Sequence, residues 1–171
     1  MSCSPARRHG LRTALALAAI ASTGGALAAE PRAPALPLRT AAGEPILPPD
    51  DGVAPRWKVL YLDFWASWCG PCRQSFPWMN ELHERHRAAG LAIVAINLDA
   101  RREDAQDFLD RLPPRFAIAF DPGGASAAAF GVKAMPSSFL VGPDRRVLHA
   151  HRGFRPADRA DLERRIAAAL A

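Results

Sequence analysis

From Trp57 onward the alternation of apolar and polar stretches is regular. Val59-Leu60-Tyr61-Leu62-Asp63-Phe64-Trp65 is a near-continuous apolar run, the mark of a strand covered on both faces. Pro71 opens a helix predicted over 71–89, with Cys72, Phe76, Met79, Leu82 and His86 at helical spacing on one side. Pro77 lies inside it and is expected to kink it, and Gly90 ends it. A second buried strand is predicted over 91–96, a helix over 102–112 stopped by Pro113-Pro114, a short strand over 116–120, and a short helix over 125–130 closed by Gly131. Residues 138–141 and 146–150 flank a Gly142-Pro143-Asp144 turn, which suggests an antiparallel hairpin. Pro156 begins a terminal helix with Leu162, Ile166 and Leu170 on one face. Strands alternating with helices, followed by a closing hairpin, predict an α/β sandwich on a mixed central sheet.

Upstream the pattern differs. A basic start through Arg12 leads into an apolar run over 13–21, a Ser22-Thr23-Gly24-Gly25 break and Ala26-Leu27-Ala28. This layout predicts a signal peptide over 1–28, cleaved before Ala29, and a periplasmic location. The apolar run is too short for a comfortable membrane span, so no stable membrane insertion is expected; an uncleaved anchor is the alternative. Arg7-Arg8 raises twin-arginine export, but His9-Gly10-Leu11 fits that signal poorly, which favours general secretion. Residues 29–56 carry seven prolines and read as an extended lead-in. Within it, 36–39 and 45–47 could form a small edge hairpin around Ala42-Gly43. The main domain is placed at 57–171.

Composition sharpens this picture in two places. The chain has 171 residues, of which 49% are apolar and 23% charged, enough for one packed core. The formal net charge is +5, but Arg7, Arg8 and Arg12 lie in the leader; without it 19 basic residues face 17 acidic ones. Nucleic-acid binding thereby loses its main support. Of three cysteines, Cys3 is in the leader, so the mature chain keeps Cys69 and Cys72 in a compartment where disulfides persist. That excludes a disulfide-stapled scaffold and a four-cysteine zinc site.

Those two cysteines form a C-x-x-C between a buried strand and a helix. Cys69 is expected at the helix N-terminus, where free N–H groups and the dipole stabilise a thiolate. Gly70 is read as giving freedom and Pro71 as fixing the helix start, which holds the second sulfur within disulfide distance. Cys72, one turn further in, is expected to be more buried and less acidic, so the pair divides into an attacking and a resolving sulfur. A half zinc site lacks a second ligand pair, since His83 and His86 read as a solvated face. A purely structural disulfide would close too short a loop to matter. His149 and His151 alternate on one strand face and read as an exposed pair. No cofactor and no metal site is expected.

Phe64-Trp65-Ala66-Ser67-Trp68-Cys69-Gly70-Pro71-Cys72 is similar to the active-site signature of the thioredoxin superfamily. With the leader, the chain most resembles the exported TlpA/ResA-type thiol-disulfide oxidoreductases. The resemblance implies a thioredoxin-like three-layer sandwich with an N-terminal hairpin and an inserted helix and strand near 99–120. It implies a cis Pro136 facing the cysteines, in Met135-Pro136-Ser137-Ser138, with Met135 free to pair with an extended substrate chain. It implies that Asp63 is a buried acid of raised pKa that relays a proton for Cys72. Trp68, Gly70, Pro71 and Met135 form the expected substrate-facing set, whereas Trp57, Trp65 and Trp78 read as packing. One departure stands out: Ser75 occupies the place where this group commonly carries glutamate. The implied activity is reduction of disulfides in client proteins, with electrons from a membrane thiol donor. The alternatives are a disulfide-donating oxidase and a copper-delivery or assembly factor for a respiratory complex.

Overall fold

The structure, a computed structural model, describes Met1 and residues 31–36, 38–47 and 55–171. The expected signal peptide therefore lies outside the described residues. The regular elements are β1 (Val59–Trp65), α1 (Gly70–His86), β2 (Leu91–Asn97), α2 (Arg102–Arg111), β3 (Ala117–Phe120), α3 (Ala125–Ala129), β4 (Ser137–Val141), β5 (Val147–Arg152) and α4 (Arg159–Leu170). The strands form one mixed sheet ordered β3-β2-β1-β4-β5. β1 lies at its centre, parallel to β2 and antiparallel to β4, and all seven of its residues are buried. That double covering is why its sequence shows a continuous apolar run instead of alternation.

Side chains of β1 alternate between two cores. Val59, Tyr61 and Trp65 join Phe76, Met79 and Leu82 of α1, Phe108 of α2, and Leu162, Ile166 and Leu170 of α4. Leu60, Leu62 and Phe64 face the other way, toward Ala127 of α3 and toward Ala33, Ile46 and Leu47 of the lead-in. The result is a three-layer α/β sandwich of thioredoxin-like type, as expected. Each large side chain that α4 buries contributes about 2 kcal/mol.

The lead-in is more than a spacer. Ala33 is tied to the β4–β5 turn: its N–H donates to Arg145 O at 2.7 Å, and its carbonyl accepts from the Arg145 guanidinium at 2.9 Å. Ala41 N–H donates to Ile118 O at 2.7 Å on β3, and Thr40 bridges Ala119. The segment thus reaches both ends of the strand order and shields the β3 edge from further pairing. Its expected hairpin is a tight turn with one Arg39–Pro45 bridge, not a pair of regular strands. Among the described residues no helix is long and apolar enough to cross a membrane.

Helix α1 departs from its expected pattern in two ways. It includes Pro77, as expected, but ends as an α-helix at His86, followed by one 3-10 turn to Gly90 at φ +105°. Ser75 and Trp78 are buried beside Cys72, Phe76, Met79 and Leu82, whereas His86 is half-exposed. The buried arc is wider than one face because α4 and its approach cover a second side. Trp78 packs on Phe154 and Tyr61, and its Nε1 donates to Glu163 at 2.8 Å.

Candidate active site

The C-terminal end of β1 delivers the chain to the first turn of α1. Cys69 is the N-cap residue of α1, with extended backbone, and its Sγ accepts the N–H of Cys72 at 3.2 Å. The two cysteines are joined by a disulfide, with Cα atoms 5.3 Å apart. Cys72 is fully buried, and no acidic residue occupies the first turn of the helix. Free N–H groups and the positive end of the helix dipole therefore converge on Cys69 without a competing negative charge on that turn. Pro71 sits in the opening turn, where its missing N–H costs nothing. Gly70 has no positive φ, and a Cβ there would meet nothing within 4 Å. The freedom that its sequence position suggests is thus not required by the backbone.

Trp68, directly before Cys69, is 71% exposed, a large apolar side chain left at the mouth of the motif. Met135 packs partly against the cluster that contains both cysteines, and the Met135–Pro136 peptide is cis. Phe64 pairs with Ser137 across β1 and β4, so Pro136 lies beside the point where the cysteine loop leaves β1. Trp65 is buried between Phe76 and Phe108, with centroids 4.8 and 4.7 Å away, and its Nε1 finds no acceptor.

Asp63 alternates with Tyr61 and Trp65 on the α1 side of β1. It is 2% exposed, and its Oδ2 has no hydrogen-bond partner. Burial without compensation pushes its carboxyl well above the usual carboxylate range. Ser75, in the position of the glutamate common to TlpA/ResA-type chains, donates from Oγ to Cys72 O at 3.0 Å and so turns its polarity back onto its own helix.

One group was not legible beforehand. The Asp99 carboxylate, just beyond β2, accepts Ser67 N–H at 2.9 Å and Ser67 Oγ–H at 3.0 Å. The side chain of Asn97 donates to it at 2.7 Å and accepts Asp99 N–H at 3.1 Å. This clamp fixes the loop two residues before Cys69. Its only sequence signal is two polar residues, Asn97 and Asp99, at the end of an apolar strand.

Other features lie away from this site. A concavity of about 640 Å³ lies along α1 between Pro77, Glu84, Arg85 and Arg115 and includes neither cysteine. His149 and His151 are half-buried on β5 with rings 6.3 Å apart, not an exposed pair as their spacing suggested. α4 covers them: Asp158, just before it, lies 3.4 Å from His151, and Arg165 lines a cavity with His149.

A disulfide-bonded C-x-x-C pair at a helix start, set on this sheet, places the chain in the thioredoxin superfamily. The Redoxin family model matches residues 56–166, and the chain belongs to that family, with TlpA/ResA-like character. The thiol-disulfide oxidoreductase ResA of Bacillus thuringiensis subsp. konkukian is 33% identical over 96 residues, 56% of each chain. The match thus spans a little over half the length of that relative. The crystal structure of a candidate thiol:disulfide interchange protein DsbE from Chlorobium tepidum is 47% identical. It covers 83% of this chain and 97% of its own, with a TM-score of 0.70. StoA from Bacillus subtilis, 22% identical over 78% of this chain and 99% of its own with a TM-score of 0.61, shares the fold.

Proposed function

We propose that this protein is an exported thiol-disulfide oxidoreductase that reduces disulfides in client proteins. The observation that carries the reading is Cys69 at the N-cap of α1, bonded to Cys72 and accepting its N–H. In the reduced form, the Cys69 thiolate attacks a client disulfide, forms a mixed disulfide and expels one client thiolate. Asp63 takes the proton of Cys72, and the Cys72 thiolate attacks the Cys69 sulfur. The second client thiolate leaves, and Cys69–Cys72 closes with the client reduced by two electrons. A membrane thiol donor restores the dithiol by the same exchange in reverse order.

Trp68, Gly70, Pro71 and Met135 meet the client, and Pro136 borders the sulfurs from β4. The names of the ResA and DsbE relatives support exchange chemistry. The Gly70-Pro71 spacer supports the reducing direction, since in thioredoxin it accompanies a potential near −270 mV, against about −120 mV for a strong oxidant. The sequence of the leader supports export to the periplasm, with residues 1–28 removed and the mature chain acting there.

Cys72→Ser tests the chemistry. Expressed in the native compartment, it should accumulate client mixed disulfides through Cys69, which reductant releases. Absence of trapped species would remove the division of roles. A reduction potential near that of thioredoxin would fix the direction, and one near −120 mV would make the protein an oxidant.

A further inference from the structure

The reading above leaves a proton without an obvious way out. Asp63 is buried, and burial favours its protonated form. It can act as a base for Cys72 only after any proton it holds has left, and at 2% exposure it has almost no contact with solvent. Two directions lead away from it along the same face of β1. Toward Trp65 lie Phe76 and Phe108, and the indole N–H is a donor that cannot pass a proton on. Toward Tyr61 the surroundings are different.

Ser138 stands directly across from Asp63 in the antiparallel β1–β4 pair, so the two side chains share a face as neighbours. Tyr61 is the next residue on that face of β1. Burial, and then the Asp63 carboxylate when it is ionised, push the Tyr61 phenol up, and the Ser138 hydroxyl lies close enough to Tyr61 to offset part of that effect. Beyond them lies a cavity of about 10 Å³, the size for one water molecule, lined by Tyr61, Ser138, Leu140, His149, Arg165 and Ile166. His149 pairs with Leu140 across β4 and β5, and its Nε2 is buried with no partner. Two hydroxyls and a bare imidazole nitrogen thus converge between the buried acid and a half-exposed ring.

We propose that Tyr61, Ser138 and His149 form the proton exit of Asp63. This inference rests on the relay role of Asp63 proposed above. The Asp63 O–H bond breaks as its proton passes to the hydroxyls of Ser138 and Tyr61, each of which gives up one proton as it accepts another. His149 Nε2 takes the last proton, and the other ring nitrogen gives one to solvent. Asp63 is left as the carboxylate that Cys72 requires, and no electrons move. The charged and titratable groups facing His149 are Arg165 and Asp161 on α4, His151 on β5 and Tyr61 on β1. Desolvation, then Arg165 and His151, hold the imidazole below its ordinary pKa, with only Asp161 opposing, so it is neutral and able to accept. None of the three residues touches the sulfurs; they act through Asp63.

The test follows two chemically separate events in the full chain. Reduced protein is mixed with 5,5′-dithiobis(2-nitrobenzoate). The first thionitrobenzoate leaves when Cys69 attacks, and the second when Cys72 resolves. His149→Ala and Tyr61→Phe should leave the first release unchanged and slow the second roughly tenfold near pH 7, below the full contribution of a general base. Added imidazole should restore the His149→Ala rate but not that of Tyr61→Phe. His149→Gln should match His149→Ala, which guards against a folding artefact. Slowing that imidazole does not relieve would make His149 a structural residue and overturn the proposal. So would parental rates and pH profiles in both variants while Asp63→Asn remains slow, with the relay itself standing. If Asp63→Asn is also at the parental rate, the relay falls and the exit with it.

Discussion

Two buried aspartates stand at the C-terminal ends of neighbouring parallel strands, and they are treated in opposite ways. Asp99, after β2, receives three donors: both from Ser67 and one from Asn97. Asp63, in β1, has an oxygen with none. The first arrangement uses a carboxylate as a mechanical clamp, spending its acceptors on the loop that carries Trp68 and Cys69. The second withholds partners, so that burial alone decides the protonation state. The difference teaches that burial does not define the role of an acid; its hydrogen-bond account does. One carboxylate holds the shape of the cysteine loop, and the other is left with an unpaired oxygen, which the proposed proton relay needs.

Removing the clamp should produce the largest change. Asp99→Ala leaves the Ser67 and Asn97 donors without their shared acceptor, at a cost of about 3 kcal/mol. Thermal unfolding should show a fall of about 10 °C, and reduced Cys69 should alkylate with an altered pH midpoint as its loop loosens. An unchanged midpoint would reduce Asp99 to a stabilising residue.

Asp63→Asn should move stability the other way while slowing the chemistry. Resolution by Cys72 should slow about 10²-fold near neutral pH, measured as the second thionitrobenzoate release. Stability should rise at the same time. The folded pKa of Asp63 lies above its unfolded value, so the folded state holds a proton that the unfolded chain gives up. The resulting loss of stability is absent at pH below the ordinary carboxylate range and grows as pH increases through it toward the raised value. The variant's advantage in unfolding free energy should therefore be small in acid and increase toward neutrality, reaching about 1 kcal/mol or more. A variant less stable than the parent at pH 7 would show that Asp63 is satisfied after all.

The smallest expected effect belongs to the spacer. Gly70 occupies ordinary backbone with open space at its Cβ, so Gly70→Ala should fold normally and gain up to about 0.5 kcal/mol. Denaturant unfolding checks this, and a loss of more than that would reveal a constraint absent from the oxidised structure.

The unequal legibility of these two acids mirrors that of the fold. β1 and β2 were readable because strands covered on both sides carry unbroken apolar runs, bounded here by Gly and Pro. The cysteine pair was readable because it lies within one short strand-to-helix segment whose local geometry implies its chemistry, whereas Asp63 was singled out only through the resemblance to the thioredoxin signature. Asp99 was not, because its partner Ser67 is 32 residues away in sequence, and the meeting exists only once β1 and β2 pair. The burial of Ala33, Ile46 and Leu47 was hidden for a related reason. A proline-rich segment has no periodicity, so nothing local marks which residues turn inward. Ser75 and Trp78 escaped notice because a single-face helical pattern does not foresee a second covering element.

The account depends most on the acidity of one sulfur. Alkylation of Cys69 by iodoacetamide in fully reduced Cys72→Ser protein, followed across pH, measures it directly. The expected midpoint lies at least one unit below the value of about 8.5 for a free cysteine thiol. A midpoint at or above 8.5 would contradict it.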